Sequence, residues 1–372
     1  MQNQKVHKEN FNFIFKDRGG AFEGNDPQVL NILDSFKTHI ESIVSYVRKH
    51  YPALPEVYVD FVNNLTLNAG AVYYKGSYYI GLYLGAKIII GELFNAELSS
   101  TNILPEKGNP SLDFGDKKIG LINNGGILSI DLSGLPNQKS NDPLRAFYSD
   151  FFSQKTIEFL ILHELGHIIR GHCGYKSSLT NNALWVEFNG DSNAFYTPLI
   201  SQTLEMDADS FAVNHSIILA YHSISEYMSL SDDLKKLYEN IETFLENWIF
   251  CIYSFFKLSD TASPSLADFE NKSHPHPAIR TWLILNNIYA ILESRNMPSE
   301  QLTTLSFKLS KIMEHADFAF SEVTFKKFDY QNMVDIFFQT RLYTDKLTKN
   351  WNNVLPLIKS YAIDPSKLPH PV

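Results

Sequence analysis

The chain has 372 residues, 44% of them hydrophobic and 13% aromatic, so it exceeds one typical domain and has the side chains for a large core. This composition excludes a disordered or low-complexity protein. The formal net charge of −9, with no stripe of clustered Lys and Arg, argues against nucleic acid as a partner.

Helices and strands are both predicted in the N-terminal part. Residues 27–50 place apolar side chains at three- and four-residue spacing behind an Asp-Pro start, which predicts an amphipathic helix. Residues 82–98 are long enough for another helix, although the isoleucines at 88–90 also suit a strand. A strand and two tight hairpins are predicted for the remaining apolar segments: VYVDFV at 57–62, those flanking Lys75-Gly76, and those flanking residues 123–126.

The rest of the chain is predicted to be helical. A long, largely apolar segment forms a buried helix that we expect to end near Gly171. The next helix begins with Thr197 as its cap and Pro198 at its first position. After it, helical patterns cover residues 231–258, 277–294, 298–315 and 329–360.

The segment HELGH, residues 163–167, lies within the predicted buried helix. His163 and His167 are four residues apart, about one turn along a helix, so both imidazoles can reach one metal ion. Glu164 projects beside them, where a carboxylate can act as general base on a water at the metal without ligating it. Alternatively, both histidines are ordinary polar positions in an apolar helix, because HExxH also occurs by chance.

A third ligand residue would decide between a metal site and ordinary polar positions. His172 lies roughly opposite His163 around a continued helix, and we interpret it as facing solvent or supporting a ligand rather than ligating. The later segment LEMDADSFA places Glu205 and Asp209 four residues apart on one helical face. Glu205 could therefore complete a His/His/Glu set, while Asp209 hydrogen-bonds a ligand histidine. The alternative is a solvated acidic face that also includes Asp207.

Three motifs in this order carry a family resemblance: HELGH, the ExxAD pattern at 205–209, and SHPHPAIR at 273–280. Together they resemble the gluzincin zinc peptidases related to HtpX and the CAAX prenyl proteases, and most of all the soluble Lit-type phage exclusion peptidases. The resemblance covers residues 155–285. It departs from most of these relatives in lacking a membrane span, and residues 1–150 resemble the family only loosely, so the substrate does not transfer.

The resemblance implies roles for the motif residues. Glu205 is then the third zinc ligand, and Asp209 supports a ligand histidine. His274 and Arg280 lie near the metal, where either is suited to stabilising an oxyanion. Their ordinary alternative is a His-Pro turn followed by an arginine in the next helix. The predicted site comprises catalytic Glu164, His274 and Arg280, cofactor-supporting Asp209, and the Zn²⁺ ligands His163, His167 and Glu205.

We therefore expect an α+β, zincin-like metallopeptidase with a small β-sheet on the active-site helix and an all-helical C-terminal half. Three parts are predicted: an α/β part with hairpins at 1–150 that belongs to the catalytic fold or binds substrate, a zinc-binding core at 151–285, and a helical region at 286–372. The expected function is a zinc-dependent endopeptidase that hydrolyses a protein or peptide, responds to a peptide or protein activator, and serves phage defence or a stress response.

Two alternatives stay open: a non-catalytic, metal-binding regulatory or interaction module, and a peptidase that cleaves a regulator, similar to the ImmA type. Intact Glu164 argues against the first, because a structural metal site does not need a carboxylate at that position.

No targeting or membrane segment is predicted. The N-terminus lacks the apolar segment and small-residue cleavage site of a secretory signal. The most membrane-like stretch, residues 248–256, is much shorter than the ~20 apolar residues needed to cross a bilayer. The two cysteines, Cys173 and Cys251, are few, as is typical of a reducing compartment. We expect a cytoplasmic protein with no membrane span.

Overall fold

The computed structural model describes residues 2–370 apart from 114–117, 125–126, 131–138, 180–184, 187–196, 260–269 and 325–329. These residues form a mixed α+β structure, as predicted for the general fold class. The helices of the described residues are α1 (Gln2–Ile14), α2 (Pro27–His50), α3 (Leu84–Ser99), α4 (Pro143–Ile169), α5 (His172–Leu179), α6 (Pro198–Ser225), α7 (Asp232–Leu237), α8 (Ile241–Leu258), α9 (Pro277–Ser294), α10 (Ser299–Val323) and α11 (Tyr330–Ile358). The strands are β1 (Val57–Val62), β2 (Ala69–Tyr74), β3 (Ser77–Tyr83), β4 (Leu121–Asn124), β5 (Ile127–Ile130) and β6 (Trp185–Val186).

The main sheet has the strand order β1-β3-β2-β6. Strand β1 runs parallel to β3, whereas β2 is antiparallel to both β3 and β6. The hairpin between β2 and β3 turns at Lys75 and Gly76, which both have positive φ, as a type I′ turn requires. This confirms the predicted hairpin. The fourth strand, β6, comes from outside residues 1–150, so that predicted part does not supply the whole sheet.

The ambiguous segment at 82–98 divides between two elements. Strand β3 extends to Tyr83 and is followed directly by α3, whose buried residues include Ile89 and Ile90. The isoleucines therefore lie in a helix, buried by tertiary packing on more than one side. Helix α3 packs on α4, and α4 packs on β2, which places the small sheet on the helix that carries HELGH.

One continuous core connects the three predicted parts of the chain. Its buried apolar side chains run from Leu33 in α2 through α4 to Ile358 in α11. A smaller cluster lies on the other face of the sheet, where Phe11 and Phe15 pack with Tyr79. Among the described residues, no helix combines the length and the apolar composition that crossing a bilayer requires.

A buried arginine organises the connection between α3 and α4. Arg145 is fully buried, and its guanidinium donates five hydrogen bonds of 2.7–2.9 Å to backbone carbonyls. The acceptors are the carbonyl oxygens of Leu98, Ser100, Ile103, Leu104 and Lys107. Asp142 caps α4 by accepting from the Arg145 backbone N–H at 2.9 Å. The start of the HELGH helix is therefore tied to the preceding loop.

The other end of α4 is covered by the C-terminal segment that follows α11. The helix stops just before Gly171, which has a φ of 86°, the left-handed conformation typical of a residue after a helix. A Cβ at Gly171 would lie 2.6 Å from the Ala362 backbone nitrogen, so only glycine fits there. The Ile363 backbone N–H donates to the Ile169 carbonyl at 3.0 Å. This contact fixes the C-terminal segment beside the HELGH segment.

The hairpin formed by β4 and β5 is a separate two-stranded sheet. Gly125 and Gly126 at its turn lie outside the described residues. Ser129 of β5 forms a bridge with Thr66, and the Leu67 N–H donates to the Leu128 carbonyl at 2.8 Å. Strand β5 therefore has backbone partners on both of its edges. The strand that packs most extensively on α4 is β2, which belongs to the main sheet.

Candidate metal centre

The two motifs meet because α4 and α6 approach closely. A Cβ at Gly166 would lie 3.1 Å from the Ala208 Cα and 3.2 Å from the Phe211 Cβ. Glycine within HELGH and alanine within the ExxAD pattern therefore face each other, and their small size lets the two helix backbones come together. Histidines on α4 and carboxylates on α6 are thereby brought within contact distance.

Three side chains converge between these helices. The Nε2 atoms of His163 and His167 lie 3.0 Å apart. Glu205 places Oε2 at 3.2 Å from His163 Nε2 and Oε1 at 3.6 Å from His167 Nε2. A tetrahedral zinc ion with bonds of about 2.0–2.1 Å separates neighbouring ligand atoms by about 3.3 Å. The spacing of these atoms fits such an ion, and the three side chains are buried.

The protonation of the histidines also fits a cation. His163 Nδ1 lies 2.8 Å from Asp209 Oδ1, and since a carboxylate only accepts, this nitrogen carries the proton. In the neutral ring, Nε2 is then a bare lone pair directed toward Glu205. Burial lowers the pKa of His167 to about 3, although Glu205 opposes the shift, so the His167 ring is neutral near pH 7. Lone pairs and a carboxylate that meet in a buried place form a donor set suited to zinc.

Asp209 is itself held by Arg280 on α9. Its Oδ2 accepts from Arg280 Nε at 2.8 Å, and its Oδ1 accepts from Nη2 at 2.7 Å. The guanidinium also lies 4.5 Å from the ring centre of Phe256. Asp209 is fully buried and Arg280 is 4% exposed. The two predicted residues thus form a bidentate buried pair whose carboxylate orients His163, and Arg280 is directed at Asp209.

His167 has a corresponding support that sequence reasoning left open. Its Nδ1 lies 2.9 Å from Nδ1 of His172, and His172 Nε2 lies 3.2 Å from Asp207 Oδ2. Arg170 Nε lies 3.7 Å from the same Asp207 oxygen. Asp207 is 3% exposed, so the alternative of a solvated acidic face is wrong for this residue. His172 contacts the candidate ligand His167 and does not face solvent.

Glu164 is fully buried beside the histidines, one position after His163 on α4. Burial raises the pKa of the Cys173 thiol, and the neighbouring Glu164 carboxylate raises it further. Cys173 is therefore a neutral thiol, and Glu164 directly follows His163 on the helix that carries both histidines.

His274 lies on the more open side of the centre. Its side chain is 21% exposed, and its Nε2 is 3.5 Å from Glu205 Oε1. Ser273 Oγ lies 3.0 Å from His274 Nδ1, which leaves Nε2 as the nitrogen that faces the centre. The neighbouring His276 instead caps α9, since its Nδ1 accepts a hydrogen bond from the Ala278 N–H.

Contacts at the α4–α6 interface therefore connect six of the seven predicted site residues, and the seventh, Glu164, is buried next to His163 on α4. His172, Asp207 and Arg170 extend it, and the local signal for them was only their proximity in sequence to the motif residues. No family model matches the chain, and no curated protein or solved structure was found to be significantly similar to it.

Proposed function

We propose that the protein is a zinc-dependent endopeptidase of the gluzincin type. The observation that supports this most strongly is the convergence of His163, His167 and Glu205 with ligand-like spacing, beside Glu164 on the same helix. When bound there, zinc would polarise a carbonyl and lower the pKa of a water molecule. A peptide bond is the substrate expected for such a centre with an adjacent carboxylate.

Each of the site residues then has its own role in the proposed reaction. Glu164 accepts the proton of the attacking water and delivers it to the leaving amine. His274 offers an N–H from Nε2 on the more exposed side of the centre, where an oxyanion would develop. Asp209 holds His163 in one tautomer, and Arg280 holds Asp209. We therefore assign Arg280 to positioning, and His274 to contact with the substrate.

A catalytic centre is favoured over a structural one by the number of ligands. Structural zinc sites are closed by four protein ligands, whereas catalytic sites use three and keep a position open. Among the described residues, the only group of metal-binding geometry contains three side chains. Of the alternatives, the non-catalytic module also gives no reason for buried Glu164.

The test compares wild-type protein with Glu164→Gln. The variant should keep its fold and one zinc ion per chain, because Glu164 is a base and not a ligand, and should lose proteolysis. Cleavage is measured by comparing new protein termini in cells that express either form, with Glu239→Gln as the control for an exposed glutamate. Equal sets of new termini with wild type and Glu164→Gln would refute the function. Stoichiometric zinc that persists in the double variant His163→Ala, His167→Ala would show that the ligands lie elsewhere.

We also propose a peptide or protein activator and a cytoplasmic location. The three ligands are at most 1% exposed, so a substrate needs the centre to open, and a bound partner could drive that opening. Both cysteines are free, in keeping with a reducing compartment. A role in phage defence or a stress response would appear as proteolysis that begins only after infection or stress, in the same comparison of termini.

A further inference from the structure

We infer that His172 and Asp207 are positioning residues for the metal ligand His167. The inference rests on the proposed metal site and concerns the nitrogen of His167 that faces away from it. His172 follows the turn at Gly171, whose positive φ ends α4 and returns the chain toward the metal-binding motif. His172 is fully buried and thus occupies a fixed place beside His167.

Hydrogen-bond chemistry sets the proton positions along this contact. If His167 ligates through Nε2, its proton must be on Nδ1, which lies 2.9 Å from Nδ1 of His172. Two N–H groups cannot face each other at that distance, so His172 Nδ1 accepts. The proton of His172 is then on Nε2, which lies 3.2 Å from Asp207 Oδ2. The chain of contacts specifies a single tautomer for each ring.

The position of Asp207 is fixed by helix α6 and by Arg170. It lies on α6, two residues after the ligand Glu205, and Arg170 Nε lies 3.7 Å from it. Arg170 also donates from Nη1 to the Lys367 carbonyl at 2.6 Å, which connects it to the C-terminal segment. The carboxylate that faces His172 is therefore neutralised by an arginine and tied to α6 and the C-terminus.

The two ligand histidines thus have different supports. His163 donates directly to Asp209, which Arg280 neutralises, whereas His167 reaches Asp207 through an intervening histidine. His172 is not a further ligand, since it contacts the nitrogen of His167 opposite the metal-facing one. Its effect is to fix the ring orientation of His167, and groups of this kind typically change metal affinity by about 10–100-fold.

The first test measures zinc affinity by competition with a chromophoric chelator. His172→Phe fills a similar volume but cannot accept the hydrogen bond from His167 Nδ1, so zinc should bind about 10–100-fold more weakly. His172→Gln can accept through its carbonyl and donate through its amide, and should restore affinity to near the wild-type value. His215→Phe is the control, because His215 is a buried histidine of α6 that bonds Tyr46 at 3.2 Å instead.

The second test reads the tautomers directly and needs no variant. In zinc-loaded protein labelled with ¹⁵N-histidine, long-range ¹H–¹⁵N correlation spectra should show His172 protonated on Nε2 alone and His167 on Nδ1 alone. A His172 ring protonated on Nδ1 overturns the inference, as does wild-type zinc affinity in His172→Phe. Failure of wild-type protein to bind zinc would instead refute the proposed metal site, so the two failures are distinguishable.

Discussion

Replacing Asp209 by asparagine should separate the stability of the apo-protein from its affinity for zinc. The carboxylate serves two neighbours: Oδ1 accepts from His163 Nδ1 and from Arg280 Nη2, and Oδ2 accepts from Arg280 Nε. Asparagine keeps the size of the side chain, but it removes the negative charge and replaces one acceptor by an N–H group. Arg280, 4% exposed, would then be left as an uncompensated buried cation.

The expected loss follows from this burial. Breaking a buried ion pair by removing one partner typically costs about 3–5 kcal/mol, so the unfolding free energy of Asp209→Asn should fall by about that amount. Urea denaturation with a chelator present measures it without a contribution from metal binding. Zinc affinity, measured by chelator competition, should fall about 10–100-fold because His163 loses the acceptor that fixes its tautomer.

A second substitution distinguishes the two effects. Arg280→Met in the Asp209→Asn background removes the uncompensated charge and can still pack on Phe256. Most of the unfolding free energy should return, whereas zinc affinity should stay low because His163 still lacks its carboxylate. The reasoning is refuted if Asp209→Asn unfolds at the wild-type urea concentration, or if Arg280→Met restores zinc affinity as well.

Three further predictions concern buried groups away from the candidate metal centre. Arg145→Met leaves five carbonyls, four of them in buried residues, without their donor. At about 1–3 kcal/mol for each unsatisfied buried group, the variant should be destabilised by several kcal/mol in urea denaturation; a loss below about 1 kcal/mol would contradict the role of these hydrogen bonds. Burial raises the pKa of Glu97 well above its ordinary value, so the folded state keeps it protonated and loses stability as the pH rises above that ordinary value. Glu97→Gln should therefore be more stable than wild type above the ordinary carboxyl pKa, by a margin that grows as the pH rises, and a less stable variant in that range would count against this. Burial lowers the pKa of His215 from 6.5 to about 3, so the unfolded chain takes up a proton first and stability falls below pH 6.5. His215→Gln should show a shallower fall in unfolding free energy between about pH 6.5 and about pH 4, and an identical slope would contradict the assignment.

Local patterns were sufficient for most of the helices. The predicted helices at 27–50 and 277–294 match α2 and α9, and the positive φ angles of Lys75 and Gly76 match the predicted hairpin. Helix α1 was not predicted, because its main apolar contacts, such as Phe11 with the Tyr79 cluster, are made with a distant strand. The parallel pairing of β1 with β3 and the addition of β6 likewise depend on contacts far apart in sequence.

The candidate site likewise contains some residues that local patterns predict and others that depend on contacts between separate elements. His163, His167, Glu205 and Asp209 could be predicted because helical spacing places each pair on one face. Asp207 is about 200° from Glu205 around the same helix, which is why it resembled a solvent-facing residue. It is buried because the turn at Gly171 redirects the chain and brings His172 against it. The backbone conformation of one glycine, and not helical periodicity, thus determined the part that sequence reasoning left open.

Charge compensation gives a reason for the two arginines at the centre. Asp209 and Asp207 would each make their histidine a stronger electron donor, and two uncompensated buried carboxylates would also be costly in free energy. Arg280 Nη2 lies 2.7 Å from Asp209 Oδ1, and Arg170 Nε lies 3.7 Å from Asp207 Oδ2. Each orienting carboxylate therefore forms a neutral pair with an arginine. If His163, His167 and Glu205 bind a divalent cation as proposed, their single carboxylate would offset only one of its two charges. In the proposed reaction the remaining positive charge would polarise a carbonyl, and the arginines would let the carboxylates fix ring orientation without cancelling that charge.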